Sequence, residues 1–146
     1  MKQLNKFTLN IPSRSANESF ARVTVAAFAA QLDPTLDEIS DIKTAVSEAV
    51  TNSIVHAYPD SIGKVYITGE ILDGNVLKIK IRDKGLGIED VEQAMEPLFT
   101  TGGKERAGLG FAVMQSFMDS VRVSSKVGSG TTVILKKKIS VRNNAR

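Results

Sequence analysis

A carboxylate, an amide and a run of glycines are the residues here whose types and spacing could do chemistry. Glu48 and Asn52 lie at i and i+4 in Thr44–Ala57, where Glu48 is the only formal charge. On a helix such positions share a face, and a helix with one wet face normally shows several charges on it. Glu48 is therefore expected to face a pocket rather than bulk water. An amide oxygen can ligate Mg²⁺ and a covered carboxylate can take a proton, which metal-assisted phosphoryl transfer can use. A plain polar pair on a helix edge has the same spacing, and the residues alone leave both readings open. His56, the only histidine, continues the row and is expected to be a packed or capping residue near the helix end.

Six of the 11 glycines fall between Asp83 and Gly110. Gly85 and Gly87 follow Asp83 at the end of an apolar strand pattern. Gly102 and Gly103 come next, and Gly108-Leu109-Gly110 runs into a helical pattern. Glycine lets backbone amides approach a bound group and take positive φ. A helix opening directly after glycine offers free N–H groups and a positive dipole end to an anion. The pattern predicts a nucleotide site with Asp83 at one end and a phosphate cradle at the other; turns and a mobile loop are the alternative. Glu96–Ala107 has little periodicity and carries Lys104 and Arg106. It reads either as a lid whose cations reach phosphates or as a surface loop.

Those residues need elements to position them. Leu4–Ile11 alternates and reads as a strand ended by Pro12. Ser15 and Glu18 have the spacing of a capping box for a helix to about Leu32, with Phe20, Val23, Ala27 and Ala30 as its apolar face. Arg14, Glu18 and Arg22 are its polar residues, suited to a partner surface or to plain solvent. Asp33-Pro34 starts a second helix that runs to about Tyr58. Ile39, Ile42, Val46, Ala49, Val50 and Ser53 form its core stripe. Lys64–Leu72 and Asn75–Arg82 alternate around Asp73-Gly74, a hairpin signal. Ile88–Met95 predicts a short helix and Phe111–Met118 an apolar one whose Met and Phe face is core. Val121–Val127 and Thr131–Ile139 supply two more strands. The order predicts an α+β fold: a two-layer α/β sandwich with a mixed, mainly antiparallel sheet covered on one face by helices.

At 146 residues the chain is expected to be one domain, 1–146, with a flexible tail from about 140. The absence of cysteine excludes disulfides and cysteine-built metal sites and fits a cytoplasmic protein. The formal charge is +3, the basic residues are scattered and only 5% of residues are aromatic, so no direct nucleic-acid contact is expected. No apolar leader opens the sequence, and Val23–Leu32 is too short to span a bilayer, so neither a signal peptide nor a membrane segment is expected.

Glu48-x-x-x-Asn52, Asp83-x-Gly85-x-Gly87, Gly108-x-Gly110 and Gly130-Thr131 occur in an order that resembles the ATP-binding fold of gyrase, the Hsp90 chaperone, MutL and histidine kinases, the GHKL superfamily. Pro97–Thr101 is similar to the phenylalanine-bearing lid segment of its kinase branch. Ser15–Phe28 and Val46–Asn52 resemble the anti-sigma-F family of sporulation serine kinases, over nearly the whole chain from Phe7 to Lys138. The resemblance implies that ATP or ADP binds with Mg²⁺. Asp83 would read the adenine amino group, helped by Thr131 through water, and Gly85 and Gly87 would lie against the base. Asn52 would ligate Mg²⁺. Thr100 and Thr101 in the lid, Lys104, Arg106 and the amides of Gly108, Leu109 and Gly110 would hold phosphates. Glu48 would be the general base for a protein serine. The implied partners are a sigma-F factor, an anti-anti-sigma protein as substrate and a second copy of the chain, with Arg14, Glu18 and Arg22 at the contact. Phe111 stands where many relatives carry leucine. Histidine autophosphorylation is not expected, because the only histidine lies in the site row itself. The branches that draw a catalytic lysine from a following domain are not expected either, since 146 residues leave no room for one. Two alternatives stand beside this reading: a clamp that uses ATP only to set its shape, which needs Asn52 and Asp83 but not Glu48, and a general-stress anti-sigma kinase, against which the Ser15–Phe28 resemblance favours the sporulation family.

Overall fold

The computed structural model describes residues 1–96 and 109–141. The N-terminal alternating stretch forms β1 (Gln3–Pro12). Two helices follow, α1 (Asn17–Ala29) and α2 (Leu36–Thr51), and α2 continues into a π-helical turn, Asn52–His56. The remaining elements are β2 (Lys64–Leu72), β3 (Val76–Asp83), α3 (Val91–Met95), α4 (Phe111–Phe117), β4 (Ser120–Lys126) and β5 (Gly130–Lys138). The strands lie in the order β1-β2-β3-β5-β4 and every ladder is antiparallel. The expected mixed sheet is thus antiparallel throughout among the described residues. Hairpins explain this: both β2–β3 and β4–β5 are joined by three-residue turns, and the β2–β3 turn, Asp73-Gly74-Asn75, takes positive φ at Gly74 (81°) and Asn75 (62°).

Period-2 alternation sets the two faces of the sheet. Leu77, Ile79, Ile81 and Asp83 of β3 are buried, while Lys78, Lys80 and Arg82 face the other way. Val65 and Ile67 of β2 and Val133 and Leu135 of β5 extend the buried face, and helices cover it. In α2, Ile42, Ala45, Val46, Ala49 and Val50 are buried at helical spacing, close to the expected stripe. Phe111, Met114 and Met118 anchor α4 in the same core.

Three local expectations are corrected. The capping box of α1 does not form: Ala16 is the N-cap, without a side-chain bond, and Glu18 instead pairs with Arg22 at 3.0 Å. α2 is capped by Thr35 rather than Asp33, because Thr35 and Glu38 complete a reciprocal capping box. The buried face of α1 is Ala21, Val25 and Ala29, whereas Phe20, Val23, Ala27 and Ala30 are exposed. α1 carries two apolar stripes, and the small-residue one, Ala21, Val25 and Ala29, is the one that is buried.

The end of β5 is tied back to α2. Ile139 is fully buried and its N–H donates to the Asn75 carbonyl at 2.8 Å. Ser140, placed by the sequence in a flexible tail, donates its N–H and hydroxyl to the Glu38 carboxylate at 2.9 and 3.2 Å. Burial raises the Glu38 pKa, but the hydrogen bonds from Thr35 and Ser140 outweigh it and hold the carboxyl below its ordinary value.

Candidate functional site

The site is built where α2 loosens. At Asn52 the helix widens, and the Ala57 N–H donates to the Asn52 carbonyl, an i→i+5 bond of 3.0 Å. Such π turns are frequent at functional sites. The widening stops the α2 row at Asn52, so His56 is not packed as expected but is exposed at the rim of a small cavity. That cavity, about 30 Å³, is walled by Asn52, Ser53, Asp83, Gly87, Ile88 and Thr131, closed by Leu109 and Phe111.

Asp83 is delivered by β3 and is 5% exposed. Its Oδ1 accepts from the Gly85 N–H at 3.0 Å and the Thr131 N–H at 3.2 Å. Its Oδ2 accepts from the Ser53 hydroxyl at 3.1 Å. A carboxylate has about four acceptor sites, so three are filled and one on Oδ2 is left to accept. The loop after Asp83 is pinned against protein. A Cβ on Gly85 would run into the Ala57 backbone carbonyl, which also accepts from the Leu86 N–H at 3.0 Å. Gly87 (φ 82°) lies as close to the Lys126 backbone. These glycines therefore serve the folding of the loop itself, whatever else they touch.

Asn52 shows the clearest unmet demand. Its Nδ2 donates to the Leu109 carbonyl at 2.6 Å. Its Oδ1 is buried and no hydrogen-bond donor reaches it among the described residues. A buried acceptor left so costs free energy, and an amide oxygen is a suitable hard ligand for a divalent cation. No cluster of three or more His, Cys, Asp or Glu side chains suited to a metal occurs among the described residues. An ion here would take its other ligands from water and phosphate, as Mg²⁺ commonly does, so the donor set fits.

Glu48 lies outside this cavity. It is half-buried and lines an open cleft of about 440 Å³ between α1 and α2, with Glu18, Arg22, Lys43, Thr44 and Ser47. Gly110 stands against it: φ is 64°, and a Cβ there would run into the Glu48 carboxylate. Arg14 is exposed just before α1. The fold thus brings together Asn52, Asp83, Gly87, Leu109 and Thr131, with Glu48 and Gly110 one layer away and Glu18 and Arg22 across the cleft. Thr100, Thr101, Lys104, Arg106 and Gly108 lie outside the described residues. Sequence reasoning did not find Ser53 or Ser125 as site residues. Ser53 follows Asn52 directly and could have been suspected. Ser125 reaches the site only through strand register, opposite Thr131.

Comparison with known proteins agrees with this geometry. Residues 11–137 match the family model of the histidine kinase-like ATPase domain. The chain is 59% identical over 140 residues to the anti-sigma F factor of Caldanaerobacter subterraneus, covering 95% of this chain and 97% of that one. It is 54% identical over 134 residues to the anti-sigma F factor of Geobacillus stearothermophilus, covering 91% and 92%. A solved structure of the RsbU and RsbW domains of a Mycobacterium tuberculosis protein superposes with a TM-score of 0.68 at 17% identity, covering 94% of this chain and 33% of that longer one. The catalytic domain of the histidine kinase ThkA gives 0.57 at 15% identity, covering 95% and 100%. At these identities the structures speak to the fold alone. No helix among the described residues is long and apolar enough to cross a membrane.

Proposed function

We propose a function for a chain that belongs to the histidine kinase-like ATPase domain family and, within it, to the anti-sigma F factors: it holds a sigma-F factor inactive, and it transfers the γ-phosphate of ATP to a serine of an anti-anti-sigma protein. In this reading one domain, working in the cytoplasm as a homodimer, carries both activities. The observation that carries the nucleotide site is the buried, unpartnered Asn52 Oδ1 in the same cavity as the spare acceptor of Asp83.

Each residue then has a role. Asp83 accepts from the adenine amino group, with Thr131 beside it. Asn52 would hold Mg²⁺, which when bound would neutralise phosphate charge. Leu109, Gly110 and, beyond the described residues, Gly108 hold phosphates, with Thr100, Thr101, Lys104 and Arg106 from the lid segment. Glu48 takes the serine proton. Phosphoryl transfer is mostly positioning and charge neutralisation, and this set supplies both. A cavity of about 30 Å³ holds about one water. A base enters only after the Leu109 wall moves back and its carbonyl releases Asn52 Nδ2. Arg14, Glu18 and Arg22 form the sigma-binding face, beside the exposed Phe20 and Val23 of α1.

The test is transfer of label from γ-labelled ATP, with Mg²⁺, to a candidate anti-anti-sigma protein. Phosphoserine on the partner is the expected result. Bound ATP with no label on the partner would leave a nucleotide-gated sigma clamp, a reading that the placement of Glu48 outside the Asp83 cavity favours.

A further inference from the structure

Behind the wall of this cavity, on the side of a second and more open cleft of about 260 Å³ that Asp83, Gly130 and Thr131 also line, stands the hydroxyl of Ser125. Ser125 of β4 lies directly opposite Thr131 of β5. Its Oγ accepts from the Ile88 N–H at 2.7 Å, donates to the Gly130 carbonyl at 3.0 Å and lies 2.7 Å from Thr131 Oγ1. Ile88, from the loop after β3, and Thr131, from β5, both line the cavity.

Counting protons assigns the network. A serine hydroxyl has one proton to give and two lone pairs to accept with. A carbonyl can only accept, so the Ser125 proton goes to Gly130. The Ile88 N–H fills one lone pair of Ser125, and the Thr131 hydroxyl must fill the other. This is the one arrangement in which all three contacts are hydrogen bonds at once. Thr131 therefore gives its proton to Ser125 and keeps its lone pairs to accept with. With the spare site on Asp83 Oδ2, the cavity presents two acceptors and no hydroxyl donor from this corner.

We infer that Ser125 is a positioning residue for base selectivity: by taking the Thr131 proton it sets the pocket to accept an exocyclic amino group and to reject a carbonyl oxygen at the same place. This rests on the reading of the Asp83 cavity as an adenine site. An amino-purine nucleotide donates there. Its keto counterpart, inosine triphosphate, places oxygen against two acceptors. Removing the Ser125 hydroxyl frees Thr131 to turn and donate, so the keto base gains a partner.

The experiment measures binding of Mg·ATP and Mg·ITP to the full chain, by calorimetry, for wild type, Ser125→Ala, Ser125→Thr and Thr131→Val. Wild type is expected to prefer ATP. Ser125→Ala is expected to lower the ATP-to-ITP preference about fivefold to tenfold, the worth of one hydrogen bond. Ser125→Thr keeps a hydroxyl and restores the preference, and Ser125→Ala in the Thr131→Val background adds no further change. A purely structural role would weaken both nucleotides alike and leave their ratio fixed, which would overturn the inference. A wild type with no preference would remove the adenine reading itself, whereas a wild-type preference kept in Ser125→Ala removes only the role of Ser125. Should Ser125→Ala fail to fold, the preference of Thr131→Val decides: an unchanged ratio there excludes any selectivity routed through that hydroxyl.

Discussion

Replacing Asp83 by asparagine separates its role as a clasp from its role as a reader. In the folded chain its carboxylate takes two backbone N–H groups on Oδ1 and the Ser53 hydroxyl on Oδ2. Asparagine can keep its oxygen toward the two amides, which turns its NH₂ toward Ser53. The serine hydroxyl then reverses and accepts, so each of the three contacts stays a hydrogen bond. What is lost is charge assistance in all three bonds, about 0.5–1 kcal/mol each, so stability falls by roughly 2 kcal/mol. The melting temperature then drops by about 4–8 °C for a chain of this size. Nucleotide binding suffers more. The spare acceptor that faces the cavity becomes a donor and meets the adenine amino group donor to donor. A lost charged hydrogen bond and an unsatisfied buried donor together cost roughly 3–4 kcal/mol, or about 10²–10³-fold in Kd. Calorimetric titration with Mg·ATP, on protein shown to be folded by its melting curve, reads the effect. A folded Asp83→Asn chain that binds ATP within about threefold of wild type would show that Asp83 is only a clasp, since a lost base contact is worth more than that.

Other consequences concern the surroundings of the site. Gly110→Ala should cost about 1–2 kcal/mol, because a side chain at this φ is strained. It should also impair transfer more than ATP binding, since the new Cβ displaces the Glu48 carboxylate; equal losses in both assays would count against that placement. Arg22→Glu breaks the pair with Glu18 and should weaken sigma-F binding about tenfold, mainly through the association rate. Unchanged binding in surface plasmon resonance would exclude this face. Glu38 has a lowered pKa, so the stability it contributes is present above its unfolded value, about 4.3, and is lost as pH falls through the lower folded value. Melting curves of wild type and Glu38→Gln should therefore converge as pH drops below about 4; a gap that stays constant with pH would contradict the linkage.

Much of this was legible in the sequence, for physical reasons. The α2 stripe and the β2–β3 hairpin follow from periodicity and turn chemistry, which are local. Asp83 was legible because it ends a strand and precedes two glycines. The phase of α1 was not, because Phe20, Val23, Ala21, Val25 and Ala29 offer two apolar stripes and only packing chooses between them. The true cap of α2 was missed because Asp33-Pro34 imitates a start, while Thr35 and Glu38 make the stronger reciprocal one. The π turn at Asn52 has no sequence signature in the periodicity, yet it separates His56 from the row. Ser125 is defined by register across a hairpin, and its partners are Thr131 on the facing strand and Ile88 in a loop far away in sequence.

The central claim is that a metal-binding amide, a base-reading acid and a neighbouring proton acceptor work as one transfer site. Single-turnover transfer by wild type and Glu48→Gln, with ATP affinity measured alongside, tests it most directly. The account predicts a rate lower by about 10²–10⁴-fold with ATP binding essentially retained. Equal rates in the two proteins would take the proton-acceptor role away from Glu48.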